Sequence, residues 1–83
     1  MTPDDFKAWR KAMDFNQTQA AEALGVSRPT IVNYEAGTRR EDGKPVVIPL
    51  SVALACTALY LELEPWPMAG DDITIIRKRA ADR

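Results

Sequence analysis

The sequence contains no histidine and a single cysteine among its 83 residues. The lack of histidine removes the commonest general base and the commonest metal ligand in proteins. One thiol, Cys56, excludes an internal disulfide and a cysteine-based metal cluster, and it indicates the reducing environment of the cytoplasm. Because paired acids in a cleft-like context and a glycine-rich phosphate loop are missing as well, we expect no enzyme and no bound metal, cofactor or small-molecule ligand.

The sequence also predicts no membrane-spanning segment and no targeting signal. The apolar stretch Val46–Leu61 is shorter than the roughly 20 residues that a membrane span requires, and Pro49 interrupts it. No basic region followed by an apolar run opens the chain, so we expect no secretory signal. Hydrophobic residues nevertheless make up 46% of the chain, which is enough for one buried core in one small domain.

The formal net charge is only −1, so the chain is not expected to bind phosphate backbones strongly through charge alone. The charges are unevenly distributed along the chain. Residues 1–44 carry equal numbers of basic and acidic side chains, residues 45–72 carry acids alone, and residues 73–83 are mainly basic. Any binding to nucleic acid would therefore depend on a local basic surface and on specific contacts.

Capping residues divide the first half of the chain into three short helices. The segment Thr2–Asp5 combines a threonine cap, a proline suited to the first helical position and an acid three residues after the cap. Asn16 is suited to begin a second helix and Gly25 to end it, because glycine readily adopts a positive φ. Ser27 and Gly37 delimit a third helix in the same way. We expect an all-α bundle of four to five short helices, with a tight turn between the second and third.

The second half of the chain predicts a loop, a longer helix and a C-terminal extension. The charged loop at residues 38–48 ends in an apolar run that we expect to be extended. Pro49 then opens a helix that is predicted to run to about Glu64. We assign residues 1–64 to the domain and residues 65–83 to an extension that packs on the core or on a dimer partner.

Two features of the extension each allow two interpretations. Isoleucines at residues 73–76 favour a strand, whereas Asp72 as a cap favours a short helix over residues 71–83, and we predict the helix. Trp66, between two prolines, is expected to cover the core or to lie in an interface, where tryptophan is enriched.

The helix after Pro49 has two apolar stripes on nearly opposite sides. One stripe consists of Leu50, Leu54, Thr57 and Leu61, and the other consists of Val52, Cys56, Leu59 and Leu63. One stripe can pack on the core of the domain, and the other requires a second cover. We expect that cover to be the partner subunit of a homodimer, with an interface formed by Val52, Cys56, Leu59, Leu63 and Trp66.

The motifs of residues 3–61 resemble those of the lambda-repressor/Cro-type helix-turn-helix proteins, the XRE family. The matching residues are Arg10, Gln17, Ala21, Leu24, Gly25, Val26, Ser27, Thr30, Ile31, Tyr34, Glu35, Ala36 and Gly37. Each residue is unspecific alone, but the set in this order and spacing is characteristic. The resemblance implies a lambda-repressor-like fold with the helix-turn-helix at residues 17–35. The 37–49 loop and the following alanine-rich helix also resemble small phage regulators found beside anti-CRISPR genes.

The resemblance also implies roles for individual residues. The helix that begins at Ser27 would enter the major groove and read base edges through Arg28, Pro29, Thr30, Val32 and Asn33. Phosphates would be bound by Gln17, Thr18, Arg39, Arg40 and Lys44. Arg10 and Glu35 would form a buried pair that joins the first helix to the end of the third.

The function implied is that of a sequence-specific regulator that binds double-stranded DNA. We expect a homodimeric repressor, regulating its own gene, that binds an operator with inverted repeats. The alternative is a protein-interaction module, such as an antitoxin or an adaptor, whose helix-turn-helix no longer reads DNA. The acidic stretch at residues 45–72 and the unpaired apolar stripe favour that alternative.

Overall fold

The computed structural model describes residues 1–67, and these residues form four α-helices joined by tight turns and one longer loop. The helices are α1 (Pro3–Ala12), α2 (Gln17–Leu24), α3 (Arg28–Ala36) and α4 (Leu50–Tyr60). The all-α architecture expected from the sequence is therefore confirmed. The helix predicted at residues 71–83 lies outside the described residues.

The predicted caps begin α1 and α2. Thr2 Oγ1 accepts a hydrogen bond from the N–H of Asp5 at 3.0 Å, and the Asp5 carboxylate accepts one from the N–H of Thr2 at 2.9 Å. Asn16 and Gln19 form the same reciprocal pair at 2.8 and 2.9 Å. The bond from the Thr2 backbone lowers the pKa of the Asp5 carboxyl because it stabilises the charged form.

A residue in the left-handed conformation follows each of the four helices. Gly25 and Gly37 have φ angles of 70° and 78°, as their positions in the sequence predicted. Asp14 and Glu62 occupy the same region after α1 and α4, with φ angles of 56° and 58°. These two endings could not be predicted, because a residue with a Cβ adopts this conformation at a cost of about 1 kcal/mol and an acidic side chain does not signal it.

The core collects side chains from all four helices and from the loop before α4. Its buried members are Phe6, Trp9, Ala20, Ala21, Ile31, Tyr34, Ile48 and Cys56. The Phe6 ring centroid lies 5.3 Å from that of Trp9 and 5.6 Å from that of Tyr34. Trp9 Nε1 donates a buried hydrogen bond of 3.0 Å to the carbonyl of Cys56, which links α1 to α4. Helices α1 and α2 thus pack on α3, while α4 packs on α2 and is joined to α1 by this hydrogen bond.

The loop between α3 and α4 ends in an extended apolar run. Ile48 is buried in the core and Val46 packs against it, whereas Val47 between them is exposed. This alternation is that of an extended chain with one face on the core. The run thus attaches the loop to the core immediately before α4 begins.

α4 is shorter than the sequence predicted. It ends at Tyr60 instead of continuing to about Glu64. The left-handed Glu62 turns the chain, and the N–H of Leu63 bonds the carbonyl of Ala58 at 2.8 Å. This pattern is a helix-ending motif in which glycine is the usual turning residue. Because the hydrophobic periodicity continues past Tyr60 in the sequence, the predicted end of α4 was too late.

The structure reverses the assignment of the two apolar stripes on α4. Cys56 is only 2% exposed inside the core, and Val52 and Leu59 pack against that core. The stripe expected to meet a partner therefore packs mainly within the chain itself: Cys56 is not available to a second subunit, and Val52 and Leu59 are partly covered by the core. Leu50 and Leu54, expected to face the core, are 75% and 62% exposed. Helical spacing identified the two stripes but could not indicate which of them packs on the core.

The residues after α4 lie on the surface. Leu63 and Trp66 are both exposed, so Trp66 does not seal the core. Leu63 and Trp66 line a groove with Leu54 of the outward stripe of α4. We refer to the exposed apolar residues of the outward stripe and of this groove as the α4 face. It consists of Leu50, Leu54, Leu61, Leu63 and Trp66.

Candidate nucleic-acid interface

An ion pair between Arg10 and Glu35 fixes the end of α3 against α1. Arg10 Nε and Nη2 donate to the two carboxylate oxygens of Glu35 at 2.8 and 2.9 Å, and Nη1 donates to the carbonyl of Phe15 at 3.1 Å. The Glu35 side chain is 8% exposed and that of Arg10 is 20% exposed. The hydrogen bond to Glu35 raises the pKa of the Arg10 guanidinium. The pair expected from the resemblance is therefore present with two-point geometry.

The crossing of α2 and α3 depends on small residues. Ala20 and Ala21 of α2 are buried in the same core cluster as the fully buried Ile31 of α3, and the two helices pack against each other. Larger side chains at the alanines would separate the helices. Gly25 makes the turn between them, and the N–H of Val26 bonds the carbonyl of Ala21 at 3.0 Å. The angle of α3 relative to α2 is thus set by packing and by the turn together.

Ser27 caps α3 and orders its first turn. Its side-chain oxygen accepts the N–H of Thr30 at 3.3 Å and lies 2.8 Å from the Thr30 hydroxyl. Pro29 follows within the first turn, where the missing N–H would have no helical partner. The hydroxyl of Thr30 is therefore engaged by the cap, and Thr30 does not line the depression that the other four proposed base-reading residues share.

Four of the five proposed base-reading residues come together on one surface. They line a depression with two loop residues, and we call this surface the α3 face. Its members are Arg28, Pro29, Val32, Asn33, Arg40 and Glu41. Arg28 and Pro29 are exposed, whereas Val32 and Asn33 are half-buried. The α3 face thus combines a guanidinium, an amide and apolar surface, which are the groups that read guanine, adenine and the thymine methyl.

Arg28 reaches from α3 to the beginning of α2. Its Nη2 donates to the side-chain oxygen of Gln17 at 3.2 Å. The remaining donors of the guanidinium fork stay available for a planar acceptor. This contact connects a proposed base reader with a proposed phosphate-binding residue.

The first turn of α2 presents free backbone donors. The first N–H groups of a helix have no intrahelical partner, and at α2 these belong to Gln17 and Thr18. Asn16 satisfies the following two, because its side chain accepts from Gln19 and its carbonyl from Ala20. N–H groups at a helix N-terminus are suited to bind a phosphate.

The loop after α3 is an ordered hairpin rather than an open connection. Residues 38–45, which we call the hairpin loop, are closed by a bridge between Thr38 and Pro45. The N–H of Arg39 bonds the carbonyl of Lys44 at 2.8 Å, and the N–H of Gly43 bonds the carbonyl of Arg39 at 2.8 Å. Gly43 has a φ of 67°, which such a turn requires.

The hairpin loop is attached to the side of α3. The carboxamide oxygen of Asn33 accepts a hydrogen bond of 3.4 Å from the backbone N–H of Arg40. Arg40 lines the α3 face, whereas Arg39 and Lys44 are exposed elsewhere on the hairpin. The five proposed phosphate-binding residues thus fall into two groups, one at the start of α2 and one on the hairpin.

One residue of the α3 face, Glu41, was not among the predicted site residues. A signal for its placement was available, because Asp42-Gly43 is a common turn dipeptide. The Asp42 carboxylate accepts the N–H of Lys44 at 3.0 Å within that turn. A turn there folds Arg40 and Glu41 back towards α3.

A family model described as helix-turn-helix matches residues 6–61, more than half of the chain. The protein therefore belongs to the helix-turn-helix family of the lambda-repressor/Cro (XRE) type, whose members are DNA-binding regulators. No curated protein and no solved structure gives a significant match to the chain. Among residues 1–67, none of the helices has the length and apolar character needed to cross a membrane.

Proposed function

We propose that the protein is a sequence-specific regulator that binds double-stranded DNA as a homodimer and represses its own gene from an operator with inverted repeats. The observation that supports it most is the α3 face. Arg28, Val32 and Asn33 lie on one exposed surface of a helix whose other side is buried through Ile31 and Tyr34. A helix held this way can insert its outer surface into a major groove without unfolding any part of the domain.

Sequence readout would be shared between the two polar side chains of α3. Arg28 would donate to O6 and N7 of guanine, and Asn33 would pair with N6 and N7 of adenine. The Asn33 carboxamide oxygen would keep its 3.4 Å bond from the N–H of Arg40 while it accepts from N6, because an amide oxygen has two lone pairs. Val32 would contact a thymine methyl. The start of α2 and the basic residues of the hairpin would bind flanking phosphates.

Selection of bound duplexes from a random pool, followed by titration of the enriched duplex, tests this proposal. We expect Arg28→Ala and Asn33→Ala each to weaken binding about 5- to 150-fold, the range for one good bidentate base contact. Lys7→Ala removes one exposed positive charge from α1 and serves as the control. The proposal fails if neither α3 variant binds differently from Lys7→Ala.

The α4 face is the proposed dimer interface, in place of the stripe expected from the sequence. Leu54 belongs both to the outward stripe of α4 and to the groove that Leu63 and Trp66 line with α2. Apolar side chains exposed together on a monomer surface favour association with another apolar surface. Two-fold symmetry would then present two copies of α3 to two half-sites.

Light scattering and sedimentation on the wild type and on Leu54→Glu test the dimer. We expect a dimer for the wild type at micromolar concentration and a monomer for Leu54→Glu. The dimer would desolvate the new carboxylate without a partner, which is unfavourable. Lys7→Glu places the same side chain on α1 and should remain dimeric. A monomeric wild type that binds a single half-site would contradict the dimer but not the reading of DNA.

Autorepression is tested by placing the upstream region of the protein's own gene before a reporter. We expect expression to fall when the protein is supplied and to recover with Arg28→Ala. Unchanged expression with the wild-type protein would remove autorepression from the proposal.

A protein-interaction module remains the second candidate function because of the α4 face. An apolar groove of this kind is suited to a helix of another protein. In that case the α3 variants would bind any selected DNA like the wild type, whereas Leu54→Glu would abolish the interaction with the partner protein.

A further inference from the structure

The hairpin loop brings an acidic side chain into the surface proposed to face DNA. Glu41 lines the same depression as Arg28, Val32 and Asn33, although it follows the end of α3. A carboxylate at this place is unexpected in a surface that must approach phosphates, because like charges repel. If DNA binding excluded water from this surface, the carboxylate would need either a neutralising partner in the protein or a donor in the ligand.

The described residues contain no such partner. Within residues 1–67 the Glu41 carboxylate makes no hydrogen bond and no ion pair, and the side chain is exposed. Arg28 and Arg40 line the same depression, but neither pairs with it. The carboxylate is thus free to accept hydrogen bonds from a bound molecule.

The backbone that carries Glu41 is held in place. The residue stands between the Arg40 N–H, bonded to Asn33, and Asp42, whose carboxylate accepts from Lys44. The hydrogen bonds between Arg39 and Lys44 and between Arg39 and Gly43 close the hairpin around it. Because the hairpin loop fixes the backbone of Glu41, its side chain can contact only one base-pair position of a bound DNA site.

An ionised carboxylate accepts hydrogen bonds and donates none. In the major groove, cytosine presents its N4 amino group as a donor, whereas guanine presents only the acceptors N7 and O6. Thymine presents the acceptor O4, and adenine places the acceptor N7 next to its N6 donor. A carboxylate at a base edge therefore favours cytosine.

We propose that Glu41 is a further specificity-determining residue, which accepts a hydrogen bond from the N4 amino group of one cytosine in each half-site. This inference rests on the proposed function, since it requires the α3 face to lie in a major groove. Glu41 selects against other bases at its position, and its charge disfavours binding to duplexes that lack that cytosine.

Parallel selection from a random duplex pool with the wild type, Glu41→Ala and Glu41→Gln tests the inference. We expect the wild type to prefer cytosine at one position about 5- to 150-fold over the other bases. Glu41→Ala should bind all four bases there almost equally, while the preferences contributed by α3 remain. Glu41→Gln should shift the preference towards adenine, because a carboxamide can pair with N6 and N7.

Glu62→Gln is the control, since it removes the same charge from an exposed residue at the end of α4. It should select the wild-type sequence. A wild type that enriches a motif which Glu41→Ala and Glu41→Gln leave unchanged overturns the role of Glu41 alone. A wild type that enriches no motif overturns the proposed function and, with it, this inference.

Discussion

The α3 face and the α4 face differ in chemistry and in how their side chains are held. On the α3 face, Arg28 and Asn33 are oriented by hydrogen bonds to Gln17 and to the backbone of Arg40. On the α4 face, Leu50, Leu54, Leu61, Leu63 and Trp66 are exposed apolar groups. Both faces belong to helices whose opposite sides meet in a single core.

This difference assigns different tasks to the two faces. Hydrogen-bonding groups discriminate only when their directions are fixed, so an oriented polar face is suited to recognise a sequence. Apolar burial is non-directional and roughly proportional to area, so an apolar face is suited to association. Substitutions on either face, or in the contacts behind it, should therefore have separable effects on stability and on association.

Arg10→Ala should have the largest effect, because it removes the support of the α3 face. The variant leaves the buried Glu35 carboxylate without its partner, and we expect the free energy of unfolding to fall by about 3 kcal/mol. Urea denaturation measures this loss. Lys11→Ala, at the adjacent exposed position, should change the midpoint little. Equal midpoints for the two variants would show that α3 is held by packing alone.

The pH dependence of stability should show whether the side of α4 that carries Cys56 is shielded from water. Burial raises the pKa of the Cys56 thiol from 9.0 to about 11. A raised pKa in the folded state means that the stabilisation is complete below pH 9 and is lost as the pH rises towards 11. We expect the wild type to lose about 1 kcal/mol between neutral pH and pH 10 beyond the loss in Cys56→Ala. Parallel curves for the two proteins would mean that this side of α4 is open to solvent.

Ser27→Ala should destabilise the protein by about 1 kcal/mol, the usual effect of losing a helix cap. Its side chain satisfies the N–H of Thr30 and contacts the Thr30 hydroxyl at the beginning of α3. Thermal or urea unfolding measures the change. Ser51→Ala, in the first turn of α4, is a matched exposed serine and should change stability by less. A larger loss for Ser51→Ala would contradict the capping role.

Leu54→Glu should have the smallest effect on the fold. Leu54 is 62% exposed, so we expect the free energy of unfolding of the monomer to change by less than about 0.5 kcal/mol. Leu59→Glu, on the opposite stripe, should destabilise strongly because Leu59 packs against the core. Denaturation at low protein concentration separates these effects from association. Similar losses for both variants would remove the distinction between the two sides of α4.

Local sequence signals specified the first three helices well. Thr2, Asn16 and Ser27 each act within one turn of their helix, so residue type and spacing are sufficient to predict them. Gly25 and Gly37 were predictable for the same reason, since their left-handed backbone favours glycine. The ion pair of Arg10 with Glu35 spans 25 positions, and it was expected only from the family resemblance.

The errors arose where packing between elements, or an unusual residue at a turn, decides the outcome. The side of α4 that carries Cys56 faces the core because Trp9 and the neighbouring rings occupy that side, which periodicity cannot reveal. The end of α4 was placed too late because Glu62, unlike glycine, does not signal a left-handed turn. Glu41 was omitted because its position depends on how the hairpin folds against α3.

Protection of guanine N7 from methylation by dimethyl sulfate tests the central claim most directly, since N7 lies in the major groove. On a duplex selected by the wild type, we expect protection of one guanine N7 in each half-site, because Arg28 would contact that atom. That protection should disappear with Arg28→Ala at a concentration that still saturates the duplex. Unchanged N7 reactivity under saturating wild-type protein would contradict the insertion of α3 into the major groove.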